Sequence, residues 1–398
     1  MKKHLLLSLI TITLGSLQAW AFTFNGQTIN ENKDFTRSEI CKADKSLEEI
    51  SGIACSRSTE GYFWVHVDQG DPKIYALNPD GSIKQTVTLE FPTKNDDWED
   101  ICMASIDDKN YILIGCIGDN DVKDGKSKGK QTYYIYRIEE PEITGTNISI
   151  KKNNIDVITY TYDGTHNIDD CKDGKSHNAE TLMFDPIDQK IYIATKHEKK
   201  INALYMTDWK SGSYTTTMQW VCDLGNLADM PKGSEKDPND FLYLTAGDIS
   251  ADGSKILIKN KFHILSWERQ GSESLSTTFS RTPQHIAAYR EEEQGEAVAW
   301  ANNGIDFYTA SEGKEEPIFR FKNTQTVSAA NETTSTCNLF VANGQLWVDN
   351  LNGKTISIYN LVGQNMLSNA QSPVNISTLR GIHIVRIGTF SKKVNFGY

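Results

Sequence analysis

The sequence predicts an all-β chain, a β-propeller followed by a small Ig-like β-sandwich. Three observations predict it. A unit of acidic residue, apolar strand, hairpin turn, second strand and polar end recurs along most of the chain, seen plainly in Asp97-Trp98-Glu99-Asp100-Ile101 and the residues up to Asn120. Asp-Gly and Asn-Gly turns separate short runs rich in aromatic and Thr residues, which favours strands over helices. Near residue 324 the composition shifts to Ser, Thr, Ala and Asn, and beyond it short alternating strands resume.

Taken in order, the chain opens with an address. Met1-Lys2-Lys3-His4 is basic, residues 5–17 are apolar, and Ala19-Trp20-Ala21 suits cleavage after Ala21. The apolar run is too short for a comfortable membrane span, so an exported mature chain is expected. Five copies of the repeat follow. The first takes strands at 50–56, 62–67, 73–77 and 82–90, with a turn at Asn78-Pro79-Asp80-Gly81. The second begins at Glu99 and places later strands at 133–138 and 155–162. The third begins at Asn178-Ala179-Glu180, with strands at 181–184, 190–195, 203–207 and 218–222. The fourth begins at Thr245-Ala246-Gly247-Asp248, with strands at 255–260 and 263–267 and an outer strand near Thr278. The fifth begins at Gly295-Glu296-Ala297-Val298, continues through 305–310 and 317–322, and lacks an outer strand.

Four-stranded units at this spacing read as propeller blades, because one such sheet cannot cover both of its faces and stacking around an axis buries them. Residues 34–42 are expected to supply the missing outer strand and close the ring. Five blades are favoured; a sixth would have to lie in the spacer between Glu99 and Glu180. The alternative is a β-sandwich with extra hairpins.

Polar, Gly-containing insertions at 121–131, 164–176 and 227–239 belong in solvent. Domain boundaries follow as a leader at 1–21, a propeller at 22–323, a linker at 324–336 and a C-terminal module at 337–398. Seven cysteines in an exported chain make disulfides available. Cys102 and Cys116 lie on the two strands of one hairpin and are the first pair to test, with buried thiols as the alternative.

Ile356-Ser357-Ile358-Tyr359-Asn360-Leu361-Val362-Gly363-Gln364, then residues 379–386 and Lys392-Lys393-Val394, resemble the C-terminal sorting domain of type IX secretion cargo. His383 stands where that family usually has Tyr. The resemblance implies recognition by the type IX secretion machinery, surface attachment or secretion, and a Gram-negative, Bacteroidetes-like source. The repeats resemble secreted bacterial propellers distantly similar to phytase-like propellers. The segments that carry this are Ile50-Ser51-Gly52-Ile53-Ala54, 64–71, Trp98-Glu99-Asp100-Ile101, Ile117-Gly118-Asp119-Asn120, Thr195-Lys196 and the starts of the third to fifth repeats. Phytase-like propellers hydrolyse phosphate esters over a Ca²⁺-filled acidic channel. Their dense basic set is missing here, where Lys196 and Lys259 are the central cations.

In a propeller the start of each inner strand and the end of the next strand share one edge. Glu49, Glu99, Glu180, Asp248 and Glu296 are therefore expected to ring one mouth as metal candidates. Asp68, Asp119, Lys196, Lys259 and Glu312 are the ligand-binding candidates. Hard oxygen ligands at variable spacing suit Ca²⁺. The competing structural role is acceptance of backbone N–H bonds at the blade starts.

Weaker signals surround this ring. His66, His177 and His197 lack a paired zinc motif. The Asp119-to-Gly125 run misses the EF-hand spacing, and no Gly-x-Ser-x-Gly elbow occurs. Trp64 and Trp98 read as packing. The formal net charge of −11 argues against nucleic-acid binding. Two functional classes stay open: a surface module that binds a glycan, peptide or cation at an acidic mouth, and a Ca²⁺-dependent phosphoesterase.

Overall fold

The protein is described from a computed structural model. It covers residues 23–24, 27–120, 129–164, 176–196, 202–225, 243–324, 339–342, 344–348, 351, 354–360, 364–387 and 390–396. The leader, most of the linker, most of the three insertions and His197 lie outside the described residues. The chain divides into two compact units, Met1–Thr324 and Gln325–Tyr398.

The first unit is a five-bladed propeller. Blade 1 consists of Ile50–Cys55, Phe63–Val67, Lys73–Leu77 and Ile83–Leu89. Blade 2 consists of Trp98–Ile106, Lys109–Cys116, Tyr133–Glu139 and Asp156–Tyr162. Blade 3 takes Ala179–Asp185, Lys190–Thr195, Asn202–Asp208 and Tyr214–Gly225. Blade 4 takes Leu244–Ile249, Lys255–Asn260, Ile264–Glu268 and Gln284–Ile286. Blade 5 takes Gln294–Trp300, Phe307–Glu312 and Pro317–Asn323, then Phe35–Lys42 as its outer strand. That last pairing is antiparallel, with Phe35 opposite Asn323 and Lys42 opposite Pro317. The inner strands touch in the cycle 1–2–3–4–5–1, so the ring is closed.

Packing explains the closure. Five apolar clusters occupy the five blade interfaces, each drawing on facing residues of two neighbours. The second strand of blade 2 illustrates the pattern. Ile112 and Ile114 face blade 1, and Leu113 faces blade 3. Both faces are apolar because both are covered.

Two expectations are corrected. Cys102 lies opposite Leu113 rather than Cys116, and the two thiols project into the interfaces on opposite faces of the blade. Cys41, Cys55, Cys102, Cys116 and Cys222 are all free thiols. Thr278 is not in a strand. Ser274 caps a short helix, Leu275–Phe279, by accepting from the Thr277 N–H at 3.2 Å. The outer strand of blade 4 follows at Gln284–Ile286 and is joined in parallel by Asn30–Asn32.

The second unit has two sheets over one core. One holds Leu339–Ala342, Gln345–Val348 and Val374–Asn375. The other holds Ile356–Tyr359, Asn365–Ala370, Gly381–Ile387 and Phe390–Phe396. Leu346, Val374, Ile358, Val385 and Phe396 meet between them. His383 is buried and stacks on Phe396 with ring centroids 5.1 Å apart.

Phe35 anchors the closing strand by packing edge-on to Phe307 at 5.0 Å. Phe35→Ala should lower stability by about 3–5 kcal/mol. Urea unfolding of the mature chain measures this, and a cost under about 1 kcal/mol would show that this strand does not clasp the ring.

Candidate functional site

Every inner strand carries a β-bulge near its start, at Ser51, Glu99, Glu180, Thr245 and the pair Gly295-Glu296. A bulge leaves one residue out of the ladder and re-aims its side chain. At blades 1 and 4 the bulged hydroxyls bond across to the next blade. Ser51 Oγ donates to the Glu99 carbonyl and Thr245 Oγ1 to the Gly295 carbonyl, each at 2.8 Å. At blades 2, 3 and 5 the bulged residues are glutamates, and all three act electrostatically on Lys196.

Lys196 divides this mouth into two sides. Its ammonium ion-pairs with Glu180 and feels Glu296 and Glu99. Burial opposes its charge, but these carboxylates raise it above its ordinary range. Burial pushes Glu296 up to about 8, against the pull of Lys196, and the Glu312 carboxyl adds to the rise. Glu312, also raised mainly by burial, shares a hydrogen bond with Glu296.

The other side is a trio. Asp68, Asp97 and Glu99 each offer a carboxylate oxygen, and these oxygens lie within 4.8 Å of one another. Asp68 follows the second strand of blade 1, and Asp97 and Glu99 open blade 2. Asn95 holds the two together, donating to the Val67 carbonyl at 2.6 Å and accepting from the Trp98 N–H at 3.0 Å. Asp97 has φ 137°, a conformation costly for a residue with a side chain. Glu99 is only 5% exposed, and among the described residues no hydrogen bond reaches its carboxylate. Burial first, then Glu180 and Asp97, raise its carboxyl well above the ordinary range. Burial and Asp97 push Asp68 to about 6, and its Oδ1 is buried without a hydrogen-bond partner. Gly118 backs the trio. A Cβ there would meet Glu99 Oε1 and come within 2.7 Å of Asp97 Cγ, so only glycine leaves room for both carboxylates.

Beside the trio opens a cavity of about 510 Å³, lined among others by Gln69, Asn95, Asp96, Asp97, Asp119 and Lys130. Lys130 Nζ reaches Asp97 Oδ2 at 2.5 Å. Asp119 Oδ2 accepts from the Lys130 N–H at 2.6 Å and from Tyr133 Oη at 2.7 Å.

Several candidates lie elsewhere. Glu49 is exposed at the rim. Asp248 sits beyond its bulge, deeper along the inner strand. It accepts from the N–H groups of Ile249 at 2.8 Å and Trp300 at 2.7 Å, the clasp role that competes with metal binding. Asp100 does the same for Ile101 at 2.8 Å and Leu182 at 2.7 Å. Lys259 is fully buried behind Glu296, donating to the Gly295 carbonyl with Glu292 at 3.7 Å. Asp119 belongs to the side cavity, outside the trio. His66 packs edge-on to Trp98 and His177 to Tyr162, both in the interior. Trp64 and Trp98 are fully buried. Asp97 and Lys130 were missed as site residues. Asp97 adjoins the bulge glutamate, a signal open to sequence reading, whereas Lys130 is brought in by the return of a long insertion.

No protein-family model matches the chain, and no curated relative matches it. Among solved structures, the β-propeller domain of Myceliophteria thermophila Cps50 (Swd1) is similar at 8% identity and a TM-score of 0.35, covering 75% of this chain and 98% of that one. The propeller assignment here rests on strand pairing and ring closure.

Glu296 yields a pH prediction. Its folded pKa of about 8 exceeds its ordinary 4.5, so between these values the folded chain holds a proton that the unfolded chain releases. Stability therefore falls as pH rises through this window, and the loss is complete above about 8. Lys196, Lys259 and Glu312 face this group and remain in Glu296→Gln. In EDTA the variant should melt close to the parent near pH 5 and above it near pH 9. A gap that does not grow with pH would contradict the assignment.

Proposed function

We propose that this chain is an exported propeller whose mouth binds a divalent cation, Ca²⁺, as part of a ligand-binding module. The observation that carries this reading is the Glu99 carboxylate, nine-tenths buried, unbonded and within 4.8 Å of the Asp68 and Asp97 oxygens. Such a group is costly unless a counter-charge meets it.

The residues fit the ion. They are hard carboxylate oxygens, and the buried Oδ1 of Asp68 still lacks a partner. Ca²⁺ takes six to eight oxygens, so water and backbone carbonyls would complete the set. When bound, the ion supplies a fixed positive centre at the cavity wall. Lys196 already neutralises Glu180, which directs the ion to the trio rather than to the whole ring.

Phosphoester hydrolysis fits less well. It calls for several cations free to grip phosphate. Among the described residues of the mouth, Lys130 and Lys196 are paired to Asp97 and Glu180.

The export half of the proposal rests on the leader and on residues 337–398, which resemble a type IX sorting domain. Their removal should leave a folded propeller in the periplasm. Normal surface delivery of the truncated chain would refute that half.

The cation half is read by melting. Binding to the native state alone stabilises by about 2.7 kcal/mol at a hundred times Kd, so Ca²⁺ should raise Tm relative to EDTA. Gly118→Ala displaces the flexible end of Glu99, so the fold should persist while the Ca²⁺-dependent shift shrinks. An unchanged Tm with no metal by elemental analysis would sink this reading.

A further inference from the structure

The cavity beside the trio has a property that neither the ring nor the resemblance supplies. Asp97 belongs to both sites. It faces Asp68 and Glu99 on one side and holds Lys130 on the other. Two lysines line the cavity, Lys94 and Lys130, and both are tied to neighbouring aspartates, Lys94 to Asp96 at 2.6 Å and Lys130 to Asp97 at 2.5 Å. In this structure both ammonium groups are paired, so among the described residues this wall offers an anion amides but no unpaired ammonium. Asp119 adds a buried Oδ1 without a hydrogen-bond partner.

We infer that the cavity is a cation-gated site for a small polyhydroxylated carboxylate, a sugar acid of the uronate class. The inference rests on the cation reading above. A divalent ion at the trio takes over the Asp97 carboxylate and releases the Lys130 ammonium into the cavity. The ion and the freed ammonium then flank one position for an oxyanion, which receives charge-assisted bonds from Lys130. Lys130 stays in place because its backbone N–H is held by Asp119 at 2.6 Å.

The remaining walls select the rest of the ligand. Asp96, Asn120 and Gln69 present acceptors and amides suited to hydroxyl groups. The acids of the cavity repel a second negative charge, which disfavours a phosphate dianion. The volume of about 510 Å³ lies within the range of small-ligand pockets.

The test uses the full mature chain and calorimetry with galacturonate, galactose and galactose 6-phosphate, each in Ca²⁺ and in EDTA. Ca²⁺ itself is titrated separately. Galacturonate should bind in Ca²⁺ and weaken by about tenfold or more in EDTA. Galactose and galactose 6-phosphate should bind more weakly in Ca²⁺. Lys130→Gln should lose galacturonate binding while binding Ca²⁺ at least as tightly, since it frees Asp97. If Ca²⁺ binds but galacturonate does not, or if Lys130→Gln binds it unchanged, the inference is overturned and the cation reading survives. Equal or tighter binding of the phosphate overturns the assignment to a carboxylate. If Ca²⁺ does not bind, both fall.

Discussion

The structure depends on how five inner strands meet around one axis. Their edges approach closely, and the backbone groups there have no fifth strand of their own sheet to pair with. Side chains meet that need. Ser51 and Thr245 give a hydroxyl to the carbonyl of the next blade, and Asp100 and Asp248 accept the next blade's N–H. Each such bond satisfies a buried group that would otherwise carry a desolvation cost. Gly52 permits the approach, since a Cβ there would lie 2.9 Å from the Ile101 nitrogen.

This constraint also sorts the acids. A carboxylate used as a clasp is satisfied by two N–H groups and has no need of a cation. Asp100 and Asp248 are of that kind. The bulge takes Glu99, Glu180 and Glu296 out of the ladder pairing. One is then served by Lys196. Glu296 shares Glu312 and the more distant Lys196. Among the described residues Glu99 has only the more distant charge of Lys196, and the mouth becomes asymmetric although the blades repeat.

Much of the fold was legible because burial on both faces leaves a simple record. The runs at 111–117 and 190–195 are apolar on both parities, and turns such as Asp252-Gly253 punctuate them. The closing strand was legible from a deficit, since blade 5 lacks a fourth strand after Lys322. The site was legible only to the level of type. Reading Glu49 and Asp248 as ring members assumes that repeats align by their acids. The bulges align instead with Ser51 and Thr245, and a bulge leaves no mark in composition. The cysteine pair failed for a related reason: sharing a hairpin does not place two residues on the same face, and face is set by parity and register. The outer strand of blade 4 was displaced by a capped helical turn at Ser274, where Thr-rich sequence reads as strand.

Five blades leave little room at the centre. The void bounded by Ile53, Ile101, Asp248 and Trp300 is about 10 Å³, about the size of one water. A neighbouring void beside Arg57 and Met103 is about 20 Å³. Among the described residues, each of these two voids has room for about one water. At this level of the axis the described side chains leave little space, and Asp248 there serves as a clasp. The cavity of about 510 Å³ lies off the axis, between the ends of blades 1 and 2, and among the described residues Asp97 belongs both to it and to the trio. The trio thus lies at the edge of the axis and the cavity to its side, with Asp97, held at φ 137°, common to both.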